Sequence, residues 1–268
     1  MEKNSTAEEL LSVLDIRPTK ELLCHEQTIS KNLKRLKEGM LNIGHLVDPL
    51  VVDDKTNVVL DGNHRLKVLE IIECPCSACQ IVDYKSPEIQ VGTWLPAIAK
   101  KPDEIFKPDK NLKIEKVDGK AGIEAIGRTN APFMALHKEG GAMLLNPGSY
   151  KVRELVEEQV FLLSLLDPAE LKYIPDNEAD AFIDKGYTVL YRRSYTKDEI
   201  VKAAKDHAPF PPKSTRHLIP GRIIRLNMKL GWLHFERADA RKELAEMLRR
   251  RAYNGNVRKY YEPVVVIY

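Results

Sequence analysis

Apolar residues recur at helical spacing over residues 28–40, with Ile29, Leu33, Leu36 and Met40 on one stripe and Lys, Arg and Glu between them. This predicts an amphipathic helix that Gly39 and Gly44 should stop. The period then shortens. Leu50–Asp53 and residues 57–60 read as short β-branched strands, residues 65–73 as a second helix with Leu66, Leu69 and Ile72 at core spacing, and residues 80–84 as a returning strand. The order helix, strand, strand, helix, strand describes a small mixed sheet with Asp61 at the C-terminal edge of a strand, where ligands of α/β sheets commonly sit.

Residues 100–110 carry two prolines and many charges and read as a connection, which divides the chain into a domain over 1–105 and a second, α+β domain over 106–268. In the second, residues 124–126, Phe133–His137 and 142–145 read as strands and 150–165 as a long helix. Residues 179–185 then predict a short helix, 188–192 a strand, 197–204 a helix, and 207–212 a proline-rich loop. Residues 237–251 predict a strongly basic amphipathic helix, with Ala240, Leu244 and Leu248 on the side that docks on the body.

The most informative junction is Val58-Val59-Leu60-Asp61-Gly62-Asn63-His64-Arg65-Leu66, where an apolar strand passes through a small polar turn into a helix. Such a turn suits phosphate. Asp61 can act as an N-cap or an acid, Gly62 lets backbone approach a ligand, and the N–H groups of residues 62–65 point outward with partial positive charge. His64 and Arg65 add side-chain donors. The same residues also describe a capped helix in which Arg65 pairs with a carboxylate.

Composition narrows the picture only at the margins. The 268 residues are 43% hydrophobic, enough for a sizeable core, and 42 basic against 39 acidic residues leave a net charge of +3, too balanced to call for nucleic acid. No apolar run approaches the roughly 20 residues that span a bilayer, and the N-terminal segment lacks a basic-then-apolar leader, so a soluble cytoplasmic protein is expected. Three of four cysteines cluster as Cys74, Cys76 and Cys79. They offer thiolates to a metal, but a closed zinc site needs a fourth ligand, and the favoured reading is reduced thiols packed in a turn before the strand at 80–84.

The Asp61–Arg65 turn resembles the ParB/sulfiredoxin superfamily, whose members carry a DGxHR or GxHR turn at a nucleotide phosphate site. His25-Glu26-Gln27, Asp61-Gly62-Asn63-His64-Arg65, Thr93-Trp94-Leu95-Pro96 and Pro212-Lys213-Ser214-Thr215-Arg216-His217 fall in the order and spacing of the archaeal free L-serine kinases, over residues 14–230. The segments at 180–186 and 196–200 are similar too. From Gly231 onward the chain resembles the C-terminal end of bacterial ATP-dependent serine kinases of siderophore pathways. The resemblance implies a ParB/sulfiredoxin-like N-terminal domain, a second α+β domain with a substrate loop over 211–217, and an active site in the cleft between them. It implies phosphorylation of free L-serine to O-phospho-L-serine for cysteine or related biosynthesis, with Mg²⁺ and with ADP, or else ATP, as donor.

On this reading Glu26 is the general base, although a glutamate ahead of a helix is also what the helix dipole favours. Asp61 orients the hydroxyl or holds Mg²⁺, and Gly62, Asn63, His64 and Arg65 bind the phosphates. Trp94, Thr215, Arg216 and His217 recognise serine, though taken alone a tryptophan is usually core and a basic loop usually solvated. Where sulfiredoxins have a reactive cysteine in the turn, this chain has Asn63, which removes the nucleophile for sulfinic-acid repair. The archaeal enzymes have a serine where this chain has Gly39, which leaves another small hydroxyl acceptor open. The alternative is a ParB-like nucleotide-binding regulator of DNA, which requires a helix-turn-helix after residue 110.

Overall fold

The short β-branched runs on either side of residue 54 form the middle of a five-stranded mixed sheet. The computed structural model describes residues 2–260. From its start the chain forms α1 (Glu2–Val13), β1 (Leu14–Pro18), β2 (Leu23–Cys24), α2 (Ser30–Ile43), β3 (His45–Leu46), β4 (Leu50–Asp53), β5 (Val58–Asp61), α3 (Asn63–Ile71) and β6 (Cys76–Val82). The sheet order is β1-β6-β4-β5-β2. β5 pairs antiparallel with β4 and parallel with β2, with Cys24 opposite Val59. Two strands therefore leave the same edge side by side, one into Glu26 and the other into Gly62.

Gly44, not Gly39, ends α2: its φ of 72° is left-handed and its N–H donates to Met40 O. Gly39 lies inside the helix, where an added Cβ would meet nothing within 4 Å. Gly39→Ser is thus expected to stabilise the protein by roughly 0.5 kcal/mol, the helix-propensity difference, read as a small rise in urea midpoint at unchanged m.

The cysteine cluster also lies differently from the turn expected of it. β6 starts at Cys76, so Cys76 and Cys79 are part of the strand and pair with Pro18 and Asp15 of β1. The cause is tertiary: β6 runs between β1 and β4, and small side chains fit a strand enclosed on both sides. Burial pushes the Cys24 and Cys74 thiols up to about 11 and raises that of Cys79 further, which favours the protonated form. Among the described residues no group of three or more His, Cys, Asp or Glu is placed to hold a metal ion.

The chain divides at 86/87 and again at 219/220, so the boundary expected near 105 falls inside the second unit. Strand pairing explains this. Following β7 (Gln90–Gly92), β8 (Trp94–Ile98) is flanked by β12 (Lys172–Pro175) and β13 (Thr188–Tyr191) in a six-stranded sheet of order β12-β8-β13-β10-β11-β9, completed by β9 (Ile114–Val117), β10 (Phe133–His137) and β11 (Gly141–Leu145). Its pairings are antiparallel. Helices α4 (Pro102–Ile105), α5 (Gly119–Gly127), α6 (Val152–Ser164), α7 (Ala179–Asp184) and α8 (Lys197–Lys205) connect the strands, and β14 (Arg216–Leu218) returns to pair with β7. Residues 124–126, expected as a strand, belong to α5, which Asp118 caps by accepting from Lys120 N–H at 2.7 Å. The region after residue 110 is thus built on a sheet, not on the helix-turn-helix that a DNA-binding regulator would place there.

The tail, expected in the second domain, rejoins the first unit. β15 (Met228–Lys229) pairs with β3, and α9 (Arg237–Tyr253) buries Ala240, Leu244, Met247 and Leu248 in the same core as Leu46, Val59 and Leu66. Its basic face is held by acids: Arg241 donates twice to Asp15 and Arg249 to Glu8. Among the described residues no helix is long and apolar enough to cross a membrane.

Candidate active site

Five of the six first-unit candidates, Asp61 to Arg65, come from one strand–turn–helix connection, and the parallel pairing of β2 with β5 brings the sixth, Glu26, beside them. Asp61 is the last residue of β5 and is not the helix cap. That position falls to Gly62, whose φ of 104° is left-handed, and no side chain caps α3. An added Cβ at Gly62 would lie 2.7 Å from Leu50 Cδ2 and 3.1 Å from Arg65 Nη2, so both backbone and packing demand glycine. Gly62→Ala is expected to cost about 1–3 kcal/mol of backbone strain before any clash is counted, measured as a lower denaturation midpoint.

Asn63 opens α3 and is buried. Its Oδ1 has no hydrogen-bond partner among the described residues, while its Nδ2 lies 3.4 Å from His25 Nδ1. His25 Nδ1 is also 2.6 Å from Val59 O, which fixes a proton on Nδ1, and burial lowers the pKa of this ring and keeps it neutral. A donor cannot face that N–H. Rotating the amide turns Oδ1 to the ring and leaves the NH₂ as the buried end without a hydrogen-bond partner among the described residues. His64 Nε2 accepts from Ile29 N–H at 3.0 Å, which leaves its proton on Nδ1 and ties the turn to the segment after Glu26. Glu26 lies ahead of α2, whose N-cap is Ile29, and so outside the helix's first turn. Helix-dipole stabilisation does not account for it.

Arg65 is heavily engaged. Its Nη1 donates to Asp48 O and Pro49 O, both at 2.8 Å, and its Nη2 to Asp61 Oδ2. The same Asp61 oxygen accepts from Arg222 Nη2 at 2.5 Å. Arg222 was not expected from the sequence, where only the preceding Pro220-Gly221 turn hints at a fixed side chain. Asp61 Oδ1 accepts no hydrogen bond from the described residues.

Of the second-unit candidates, Arg216 meets Trp94, and Lys213 joins them. Lys213 Nζ sits 4.8 Å and Arg216 Cζ 5.8 Å from the indole centroid, a pair of cation–π contacts. Arg216 Nη1 is shared between Asp176 Oδ1 at 3.3 Å and Asn177 Oδ1 at 3.2 Å. Thr215 is buried, and His217 lies in β14 opposite Val91. Beneath them runs a residue the pattern did not single out. Arg192, buried at the end of β13, donates from Nε to Thr93 Oγ1 at 3.0 Å and from Nη2 to Trp94 O at 2.9 Å and to Lys213 O. Thr93 Oγ1 in turn donates to Ser214 O at 3.1 Å. One guanidinium thereby fixes the Thr93-Trp94 and Lys213-Ser214 motifs to each other. Its sequence signal was a charged residue closing an apolar strand.

An uncapped helix start, a required glycine, a buried amide with one end unpartnered and two arginines around one carboxylate give this strand–turn–helix connection the groups with which an anion can be held. Comparison with known proteins gives it a context. No protein-family profile matches the chain. Over 219 residues it is 27% identical to the ADP-dependent L-serine kinase SerK of Thermococcus kodakarensis, covering 77% of this chain and 87% of that one. It is also 27% identical to the ATP-dependent L-serine kinase of Staphylothermus marinus, over 74% and 82% of the two chains. A ParB-like protein of Sulfolobus acidocaldarius is 23% identical over 84% and 96%. The solved structure of a mutant free serine kinase in complex with ADP superposes with a TM-score of 0.69 at 23% identity, covering 82% of this chain and 94% of the other. The α+β fold is therefore that of the free serine kinase.

Proposed function

We propose that this protein is an L-serine kinase that transfers the terminal phosphoryl group of ADP or ATP to the hydroxyl of free L-serine. The observation that carries the proposal is the joining of Glu26 to the uncapped Asp61–Arg65 turn, in a chain similar over most of its length to curated ADP- and ATP-dependent L-serine kinases. In the reaction the serine oxygen forms a bond to the terminal phosphorus. The bond from that phosphorus to the bridging oxygen breaks, and AMP or ADP leaves with the electron pair. Glu26 accepts the hydroxyl proton as the bond forms. The Gly62 backbone, the Asn63 amide and the Nδ1–H of His64 bind phosphate oxygens, and Arg65 adds positive charge while it braces the turn. Trp94, Thr215, Arg216 and His217 are assigned to the serine.

The residues present suit Mg²⁺ carried on the nucleotide. Asp61 Oδ1 is a carboxylate oxygen not engaged by an arginine, and Mg²⁺ commonly takes one or two carboxylates beside substrate phosphates. When bound there, the ion would neutralise phosphate charge. The product suits a cytoplasmic route to cysteine or a related amino acid.

Incubation of the protein with Mg²⁺, L-serine and either ADP or ATP tests the proposal, with O-phosphoserine and AMP or ADP quantified together. Stoichiometric phosphoserine and nucleotide product from one donor is the expected result. Nucleotide turnover with another hydroxyl compound but none with serine would move the acceptor, and no turnover with either donor would overturn the kinase reading.

A further inference from the structure

We infer that Arg222, which neither the sequence motifs nor the comparisons mark, is the arginine that contacts the transferred phosphoryl group, with Arg65 as the brace that aims it. The inference rests on the kinase reading for its ligand and on the structure for the division of labour.

The two arginines share Asp61 Oδ2 but differ in what else they hold. Arg65 spends three hydrogen bonds, on Asp48 O, Pro49 O and Asp61, and its side chain is only 16% exposed. A guanidinium so committed cannot turn to follow a phosphoryl group without abandoning two part-buried carbonyls that it now satisfies. Arg222 is 40% exposed, and Asp61 is its partner among the described residues. Most of its five N–H donors therefore remain for a ligand.

Its backbone is nevertheless fixed. Gln80 Nε2 donates to Gly221 O at 3.0 Å, and Ile223 N–H donates back to Gln80 Oε1 at 2.9 Å, so one buried amide grips the residues on either side of Arg222. Two positions further on, Arg225 N–H donates to Asp48 Oδ1 at 2.7 Å, on the residue whose carbonyl holds Arg65. Gly221 takes the left-handed φ of 63° that this path requires. A side chain with spare donors on a pinned backbone, oriented by a carboxylate at the phosphate turn, is preorganised for a charge that grows during the reaction.

The test compares Arg222→Gln, Arg222→Lys and Arg65→Lys for thermal midpoint, for ADP, ATP and AMP affinity by calorimetry, and for turnover with Mg²⁺ and L-serine. Arg222→Gln is expected to keep its melting temperature, to lose about tenfold in affinity for the phosphoryl donor with little change for AMP, and to lose about 10²–10³-fold in kcat. Arg222→Lys should fall between it and the parent because a single ammonium cannot replace the fork. Arg65→Lys should instead lower the melting temperature. Donor affinity unchanged in Arg222→Gln, or equal losses for AMP and donor, would overturn the inference. Donor discrimination lost in Arg222→Gln while the parent makes no phosphoserine would retain the Arg222 contact and reject serine as acceptor. A parent that binds neither ADP nor ATP would reject both.

Discussion

Glu26→Gln is expected to lower kcat for phosphoserine formation by about 10²–10⁴-fold, the range for loss of a positioned general base. The substitution keeps shape and hydrogen-bonding reach but cannot take a proton. Glu26 lies outside α2, ahead of its N-cap, so the thermal midpoint should hold. Nucleotide affinity should also hold, because the residues proposed to bind phosphate, 62–65, lie on the other strand's exit. The loss would thus sit in kcat, the signature of an interaction made in the transition state. Asp61→Asn is the informative companion. It removes the charge that both arginines share, so it should lower kcat and nucleotide affinity together. A Glu26→Gln enzyme within tenfold of the parent would remove Glu26 from the base role.

The second large effect is expected at Arg192. Arg192→Met keeps bulk in a buried position but strips the donors from Thr93 Oγ1, Trp94 O and Lys213 O. Leaving the buried Thr93 Oγ1 and two part-buried carbonyls without this donor costs about 1–3 kcal/mol, so the midpoint of thermal unfolding should drop by several degrees. The functional reading separates positioning from general damage. If the guanidinium holds Trp94 and the Lys213 loop in register for serine, KM for serine should rise about tenfold or more while KM for the nucleotide moves little. Arg192→Lys should recover part of the stability, since it restores the charge, but not the serine KM, since one ammonium cannot reach acceptors on three residues. Parallel increases in both KM values would reduce Arg192 to a packing role.

Local pattern read well where one side chain or one period decides the outcome. The stripe of Leu33, Leu36 and Met40, the apolar run of Phe133–His137 and the docked face of α9 all became the elements their spacing predicted. The Asp61–Arg65 run was legible as the strand–turn–helix connection that it forms, and the pairing of Arg65 with a carboxylate that its residues also described is present with Asp61. Failures came where distant chain decides. Residues 124–126 look like a strand until Asp118 is recognised as a cap, and Gly122 in the same helix packs so close to Met134 Sδ that an added Cβ would lie 2.3 Å away. Cys76 and Cys79 look like turn residues because nothing local says that β1 and β4 will enclose them. Arg192 in the second unit and Arg222 in the first are the same case. Each matters through partners roughly twenty to one hundred and sixty positions away, and a lone arginine in a strand end or loop carries no period.

The route of the chain through the first unit governs how this protein comes into being. Its core needs Leu226, Met228, Leu233, Leu244 and Leu248 alongside residues near the start such as Ile16 and Leu46. The second unit is one uninterrupted stretch, 87–219. During synthesis that stretch emerges whole while the first sheet still lacks its covering helix, and at about 5–20 residues per second the wait for α9 lasts several seconds or more. Throughout that interval Val52, Val59 and Leu66 have apolar surface and no α9 to cover it. The order of settling can therefore differ from the order of synthesis: the inserted unit can settle first, and the Asp61–Arg65 turn acquires Arg222 and its final support last.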